Sequence, residues 1–327
     1  MLGYFVRRFL QGLLVIFLVT LITFMIPSLF TLNIARAVLG QRATLAAIAH
    51  FNHTYGFDHG IIYRYWIYMD QLFHGNLGVS FAGDTKLQPV ASTVFPALWE
   101  TVWLVLFSIV FSVVIAIPLG MTQALRRNTV FDYVSTGFVF LLYSMPAFLL
   151  AFLSASYFAI KLKWLPYGVN PGQGTGAFSR LIDIISHPSS YVLPIAVLVC
   201  ISVGGYSRFM RGSVLDVLVQ DYVRTARAKG ATSTRVLFKH AMRNAVLPIL
   251  TILGLTLPAL FTGAVITETI FNIGGMGMVI VNATRSFDMS TVMAATLMVA
   301  IATVIGNFVA DISVSLADPR VRLMGKR

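Results

Sequence analysis

Four histidines in the first quarter of the chain are the side chains best suited by type to bind a metal ion: His50, His53, His59 and His74. His50 and His53 are three positions apart and can share one face of a helix. No cysteine or carboxylate set completes a recognisable ligand arrangement around the four histidines. We therefore predict no metal site in this chain.

The sequence lacks the residues that ATP hydrolysis and covalent catalysis require. A phosphate-binding loop ends in Gly-Lys-Ser/Thr, and the glycine-rich run at 274–277 does not. None of the long apolar stretches contains a histidine that could activate a serine or threonine as a nucleophile. We predict no catalytic residues, no ATP hydrolysis and no cofactor in this chain.

Three carboxylates lie close to long apolar stretches, where a charge is costly and tends to mark a pathway through a membrane. They are Glu100, Glu268 and Asp311. Each lies within a turn or two of the end of its apolar stretch, so a position at the membrane interface explains them equally well. Of the three, Glu268 is our candidate for a gate at the outer mouth of a pathway.

The composition places these residues in a membrane protein. The chain has 327 residues, of which 57% are hydrophobic and 11% are charged, whereas soluble domains have about 25% charged residues. A water-soluble fold and a disordered chain are both excluded by this excess of apolar surface. The single cysteine, Cys200, excludes an intramolecular disulfide.

Six apolar stretches are long enough to cross a bilayer core, which takes about 20 helical residues. The sequence therefore predicts an all-α polytopic membrane protein with six transmembrane helices. The predicted spans are 9–29, 99–123, 131–160, 191–210, 247–267 and 291–316. Several contain proline, which bundled helices tolerate when neighbours satisfy the freed carbonyls.

The distribution of basic residues predicts the orientation of these spans. About two thirds of the Lys and Arg residues fall on the side of the two termini, and cytoplasmic segments are enriched in these residues. We therefore predict that both termini are cytoplasmic. The net charge of +12 then reflects topology and contact with anionic lipid rather than nucleic-acid binding.

The polar segments divide the predicted architecture into three parts. Residues 1–30 hold the N-terminal tail and the first transmembrane helix, and residues 31–97 form an external segment. Residues 98–327 form a core domain with five transmembrane helices and a cytoplasmic loop at 211–246.

An amphipathic pattern marks that cytoplasmic loop. Apolar residues with helical spacing predict one helix, followed by a glycine turn at Gly230. A second helix then runs toward Asn244, and Thr232, Ser233 or Thr234 can cap its start. A helix lying in the lipid interface is the simpler alternative, but the glycine turn and the return to the membrane at Leu247 favour a docking element. The apolar positions are Leu215, Leu218, Val219, Tyr222, Val223 and Ala226.

Residues 221–230 (DYVRTARAKG) and 235–248 (RVLFKHAMRNAVLP) resemble the coupling loop of the permeases of binding-protein-dependent ABC importers. Arg224, Thr225 and Ala226 stand where the general consensus begins with an acidic residue, and this is similar to the first permease subunit of the dipeptide/oligopeptide and nickel branch. Other segments resemble the same branch, and a Pro-Gly-Asp-Pro run usual in it is missing after the first span. The resembling segments are 56–58, 74–80, 268–271, 274–277 and 318–322.

The resemblance implies a type I importer permease fold in the cytoplasmic (inner) membrane. The implied partners are a second, homologous permease, two cytoplasmic ATPases that carry ATP and Mg²⁺, and an external solute-binding lipoprotein. It also implies import of di- or oligopeptides. The external gate would include Glu268, Gly275 and Gly277, and the residues implied to contact the ATPase are Asp221, Tyr222, Arg224, Thr225, Ala226, Ala228, Lys229 and Gly230.

Three other functions remain open at this stage. Nickel or another small solute could replace peptide as the cargo of the same importer class. An ion-driven secondary carrier would need ionisable groups at mid-membrane and usually an internal repeat, and neither is visible in the sequence. An intramembrane enzyme would need the nucleophile and base that the spans lack.

Overall fold

The computed structural model describes most of the chain in atomic detail. The described residues are 2–29, 34–40, 43–54, 56–80, 88–169, 175–230, 232, 242–246, 249, 252, 253, 256 and 264–317. In the predicted orientation the inner side carries the two termini, and the outer side is the opposite one.

Helices dominate the described residues, as the apolar stretches predict. The first half of the chain contains α1 (Leu2–Leu29), α2 (Ile34–Leu39), α3 (Leu45–Thr54), α4 (Ile61–Phe73), α5 (Ala91–Leu125), α6 (Val130–Ser144) and α7 (Ala147–Ser154). A π-helical turn, Ala155–Lys161, continues α7. The second half contains α8 (Ala177–Ser186), α9 (Pro188–Leu218), α10 (Asp221–Ala228), α11 (Met242–Ala245), α12 (Val265–Ile270), α13 (Met276–Arg285) and α14 (Met289–Ala317).

Among the described residues, four helices are long and apolar enough to cross a membrane, and the number rises to five if one bent helix pair is counted as a span. These four helices are α1, α5, α9 and α14, and they contain the predicted first, second, fourth and sixth spans. The predicted fifth span, 247–267, lies largely outside the described residues, so the count of six stays a prediction. The spans are Val6–Ile26, Ala91–Leu125, Pro188–Leu218 and Met289–Val309.

The third predicted span is not one continuous helix, which corrects the sequence interpretation. Residues Val130–Ser144 and Ala147–Lys161 are separate helices that bend by 99° where they meet. Pro146 has no N–H to continue the helix, and Met145 before it adopts the extended conformation (ψ 134°) that a following proline imposes.

The centre of the fold is the pairing of α5 with α9. If Gly120 of α5 carried a Cβ, that atom would lie 2.5 Å from the carbonyl oxygen of Ser207 and 2.7 Å from the Cβ of Met210. Only glycine therefore permits this approach of the two backbones. Near the same level, Arg211 of α9 donates two hydrogen bonds to the Asp132 carboxylate of α6, at 3.1 and 2.8 Å. These contacts join α5, α6 and α9 at their inner ends.

The inner end of α9 also corrects the prediction of a single amphipathic helix from Leu215 to Ala226. α9 ends at Leu218, and α10 begins at Asp221. The N–H of Gln220 donates to the Val217 carbonyl at 3.1 Å, a tight turn that ends the first helix. Asp221 then lies in the first turn of α10, where a negative charge suits the helix dipole.

The predicted external segment contains α2, α3, α4 and a two-stranded antiparallel pairing, β1 (Val79–Ser80) with β2 (Gln88–Pro89). α4 packs against the outer part of α1, where Tyr65 and Thr20 share a hydrogen bond of 2.9 Å between their hydroxyls. Phe24 of α1 contacts Tyr65 edge-on and stacks on Tyr68. The segment is therefore attached to the first span, not separate from it.

The closeness of α5 and α9 generates a stability prediction. Gly120→Ala is expected to destabilise the protein by about 1–3 kcal/mol, because the added methyl group overlaps the Ser207 carbonyl. Gly137→Ala in α6 is the matched control, since nothing lies within 4 Å of the position its Cβ would take and alanine favours a helix. Thermal unfolding of the purified protein in detergent measures the stability of both variants. Equal stability of the two variants would contradict the packing argument.

Candidate functional site

The outer candidate site is built around Glu268, which is fully buried at 0% exposure. Its Oε1 accepts a hydrogen bond of 2.8 Å from the Thr101 hydroxyl of α5, and its Oε2 accepts one of 3.1 Å from the N–H of Met278 in α13. The Thr101 hydroxyl in turn accepts from the N–H of Met276 at 2.8 Å. One carboxylate therefore joins α12, α5 and the start of α13.

Gly275 and Gly277 allow this arrangement because their backbones pass directly over the carboxylate. A Cβ on Gly275 would lie 2.5 Å from Cδ of Glu268, and a Cβ on Gly277 would lie 2.8 Å from its Oε2 and 2.7 Å from Cα of Val265. Close approach, rather than a left-handed backbone, is what requires glycine at both positions. The three predicted gate residues are thus in mutual contact.

Burial dominates the electrostatics of this turn. Desolvation raises the pKa of the Glu268 carboxyl above its usual range, and the hydrogen bonds from Thr101 and from the N–H of Met278 oppose that rise. The carboxylate oxygens are already occupied by donors of the protein. Glu268 in this conformation therefore binds the turn together and offers no free oxygen to a solute.

A second buried polar group lies beside the first, and sequence reasoning identified only one of its members, Glu100. This carboxylate, adjacent to Thr101, accepts a 2.5 Å hydrogen bond from the Tyr191 hydroxyl of α9. Arg180 of α8 lies 3.7 Å from the other Glu100 oxygen and 3.6 Å from Asp183. The amphipathic spacing of 177–186 is the sequence signal that could have placed Arg180 against the core.

The inner candidate site is α10 with the turn that follows it. Gly230 has a φ of +81°, which confirms the predicted left-handed turn. Ala226 is half-buried, and the other residues implied to contact an ATPase are exposed: Asp221, Tyr222, Arg224, Thr225, Ala228, Lys229 and Gly230. The predicted coupling residues therefore form one accessible surface.

Two residues attach α10 to the rest of the described structure. Val223 of α10 is fully buried, and the Tyr222 hydroxyl accepts a hydrogen bond of 2.8 Å from the Asn244 side chain. Asn244 lies in α11, the described part of the predicted second helix. The positions 233–241 of that helix, and so its predicted caps at Ser233 and Thr234, lie outside the described residues.

The histidines of the external segment do not converge. His59 Nε2 lies 3.8 Å from an Asp58 oxygen, and Nδ1 of His74, the residue that follows α4, lies 3.6 Å from an oxygen of Asp70 in that helix. No group of three or more His, Cys, Asp or Glu side chains suited to a metal occurs among the residues that the structure describes.

Long apolar helices, with a buried polar turn at one end and an exposed short helix at the other, define a polytopic membrane protein. Two family models together match most of the chain. Residues 116–323 match the binding-protein-dependent transport system inner membrane component, and residues 1–109 match the N-terminal part of such membrane components. The chain belongs to this family and is a transport permease subunit.

The curated relatives match nearly the whole length of the chain. The oligopeptide transport system permease protein AppB of Bacillus subtilis is 32% identical over 321 residues, which are 98% of this chain and 99% of that protein. The dipeptide transport system permease protein DppB of Alkalihalophilus pseudofirmus is 34% identical, with 98% and 100% covered. The glutathione transport system permease protein GsiC of Escherichia coli O6:H1 is 30% identical, with 98% and 99% covered.

The outer turn generates a prediction with a control one residue away. Gly275→Ala is expected to lower stability by about 1–3 kcal/mol, because its methyl group overlaps the Glu268 carboxylate. Gly274→Ala adds a methyl group that meets nothing within 4 Å and should leave stability within about 0.5 kcal/mol. Thermal unfolding and solute uptake are the measurements. If the Gly275→Ala and Gly274→Ala variants have the same stability and the same uptake, the turn is not closely packed in the membrane.

Proposed function

We propose that this chain forms one half of the translocation pathway of an ATP-driven importer of di- or oligopeptides. Its partners would be a homologous second permease, two cytoplasmic ATPases and an external solute-binding lipoprotein. ATP and Mg²⁺ would bind on the ATPases, and this chain would contribute no catalytic group. The protein would lie in the cytoplasmic (inner) membrane, with six spans and both termini cytoplasmic.

The observation that carries this proposal is the position of the exposed α10 surface at the end of α9. α9 is a helix of 31 residues, about 46 Å long at 1.5 Å per residue. Its inner end leads into α10 within two residues, and its outer end carries Tyr191, which binds Glu100. A displacement of α10 can therefore be transmitted across the membrane along one continuous helix.

The outer turn is the proposed end point of that movement. Tyr191 of α9 binds Glu100 of α5, and the next residue of α5, Thr101, binds Glu268. These two hydrogen bonds connect α9, through α5, to the carboxylate that holds the turn. Closure of the ATPases would move α10 and α9, and the turn with Glu268, Gly275 and Gly277 would separate from its counterpart in the second permease. The pathway would then open to the binding protein.

Peptide is the proposed cargo because relatives in several bacteria carry the names of oligopeptide, dipeptide and di/tripeptide permeases. The glutathione system permease is a related case, since its named solute is itself a small peptide. Nickel or another small solute remains the alternative cargo, and competition of peptides against uptake of a labelled dipeptide separates the two.

The coupling role of α10 predicts a specific defect. Ala226→Asp places a charge on the half-buried side of α10, and Gly230→Leu forces a branched side chain into a left-handed backbone. Both variants are expected to insert into the membrane while peptide uptake falls at least about tenfold and stimulation of ATP hydrolysis by the loaded binding protein is lost. Uptake and ATPase assays in proteoliposomes measure these effects.

Val130→Asp is the matched control for the added charge. Val130 is exposed at the start of α6, outside the proposed coupling surface, and an acidic residue suits the first turn of a helix. It should retain uptake and ATPase stimulation. The proposed transmission of movement from α10 into α9 is wrong if the Ala226→Asp and Gly230→Leu variants transport as well as the Val130→Asp variant does.

Purification from the native membrane in mild detergent tests the partners. Mass spectrometry is expected to identify two P-loop ATPases, a second permease of this family and a lipid-anchored solute-binding protein. Recovery of the chain alone, even after crosslinking through the Gly230 region, would contradict the importer and favour an ion-driven carrier. Dependence of uptake on a proton gradient, without ATP, would then be the confirming result.

A further inference from the structure

A cavity of about 320 Å³ lies at the outer end of the first span, between α1, α4 and the start of α14. A single water needs only about 10–15 Å³, so the cavity has room for a much larger group. Its lining is mixed. Polar side chains include Arg64, Tyr68, Gln71 and Asn76, and apolar ones include Phe24 and Met293.

Arg64 brings an uncompensated positive charge to this cavity. Its guanidinium carbon lies 4.9 Å from the centre of the Phe57 ring and 5.9 Å from that of Phe24, which holds the group in place without neutralising it. Among the described residues, Arg64 is in no ion pair with a carboxylate. Burial lowers the pKa of Arg64, yet an arginine remains charged.

Tyr68 brings an unused hydrogen-bond donor to the same cavity. Its hydroxyl is buried and has no hydrogen-bond partner among the described residues, and such a group costs free energy until it is paired. Burial raises the pKa of Tyr68 to about 12, so the hydroxyl keeps its proton at neutral pH and can donate. The carboxylate of Asp288, which is close in sequence to the lining residue Ser290, accepts hydrogen bonds from the hydroxyls of Ser80 and Thr291. Its partners are therefore these two hydroxyls and not Arg64.

The opposite face of α4 indicates where this cavity lies relative to the membrane. Arg64, Tyr68 and Gln71 follow an i, i+4, i+7 spacing on one face. The opposite face carries Ile62, Trp66 and Phe73, which are 84%, 73% and 83% exposed. Apolar residues with a tryptophan among them are typical of a helix lying in the membrane interface.

The depth of α4 agrees with an interfacial position. Its Tyr65 binds Thr20, which lies inside the apolar span Val6–Ile26. Thr20 is six residues before Ile26, about 9 Å below the outer end of that span. α4 and its cavity are therefore at the level of the outer phospholipid headgroups and the first part of their acyl chains.

We propose that this cavity binds an oxyanion, the phosphate of a phospholipid headgroup, through the Arg64 guanidinium and the Tyr68 hydroxyl. Free inorganic phosphate has the same chemistry. The lipid is favoured because the cavity is larger than one phosphate needs and because Phe24 and Met293 offer apolar contacts to the glycerol and first acyl carbons. An anionic lipid such as phosphatidylglycerol balances the Arg64 charge best.

Titration of phosphatidylglycerol into the delipidated importer complex, followed by native mass spectrometry, tests the site. Arg64→Gln keeps the polarity of the side chain and removes the charge, and it is expected to weaken lipid binding at least about tenfold. Tyr68→Phe removes one hydroxyl and should weaken binding about threefold to tenfold. Because Tyr68→Phe keeps the ring that stacks on Phe24, it still tests the site if Arg64→Gln fails to fold.

The matched controls are Arg285→Gln and Tyr63→Phe, which alter an exposed arginine at the end of α13 and an exposed tyrosine of α4. Both should bind lipid as the unmodified complex does. Titration curves of Arg64→Gln and Tyr68→Phe that superimpose on those of the controls would overturn the proposal. Saturable binding of inorganic phosphate that Arg64→Gln abolishes, with lipid binding unchanged, would overturn the lipid source and assign the site to free phosphate.

Discussion

The close pairing of α5 with α9 is the constraint on which the rest of the described structure depends. Inside a bilayer, helices gain nothing from burying apolar surface against each other, so tight packing and buried hydrogen bonds must fix their register. Gly120 supplies the packing against Ser207. The bond between Tyr191 and Glu100 supplies the polar contact at the outer end. Both candidate sites are attached to this one pair of helices.

The buried and half-buried carboxylates act as connections between helices. Glu100 joins α5 to α9, Asp132 joins α6 to α9 through Arg211, and Asp311 joins α14 to Arg8 of α1. Glu268 does the same for the outer turn. Sequence alone left an interfacial position and a role in a pathway open for three of these residues, because a charge near an apolar stretch reveals its cost but not its partner.

Composition and periodicity predicted four of the spans and the glycine turn at Gly230, because these depend on local residue pattern and on backbone conformation. The break at Pro146 was missed because apolar character continues through it. The burial of Glu268 was missed because Thr101, its partner, is 167 positions away in the sequence. The split between α9 and α10 was missed because the apolar spacing crosses residues 219 and 220 without interruption.

In the proposed mechanism, these contacts also determine which parts can move. α5 and α9 cannot separate without opening the Gly120 contact and the Tyr191–Glu100 bond, so they must move as one body, and the outer turn moves with them through Thr101. Relative motion must then occur at a surface that is not closely joined to this pair. α6 stays with this body because Asp132 is bound to Arg211 of α9, and α10 must follow α9 if its displacement is to reach the outer turn. The relative motion of the proposed cycle therefore lies between this chain and the second permease.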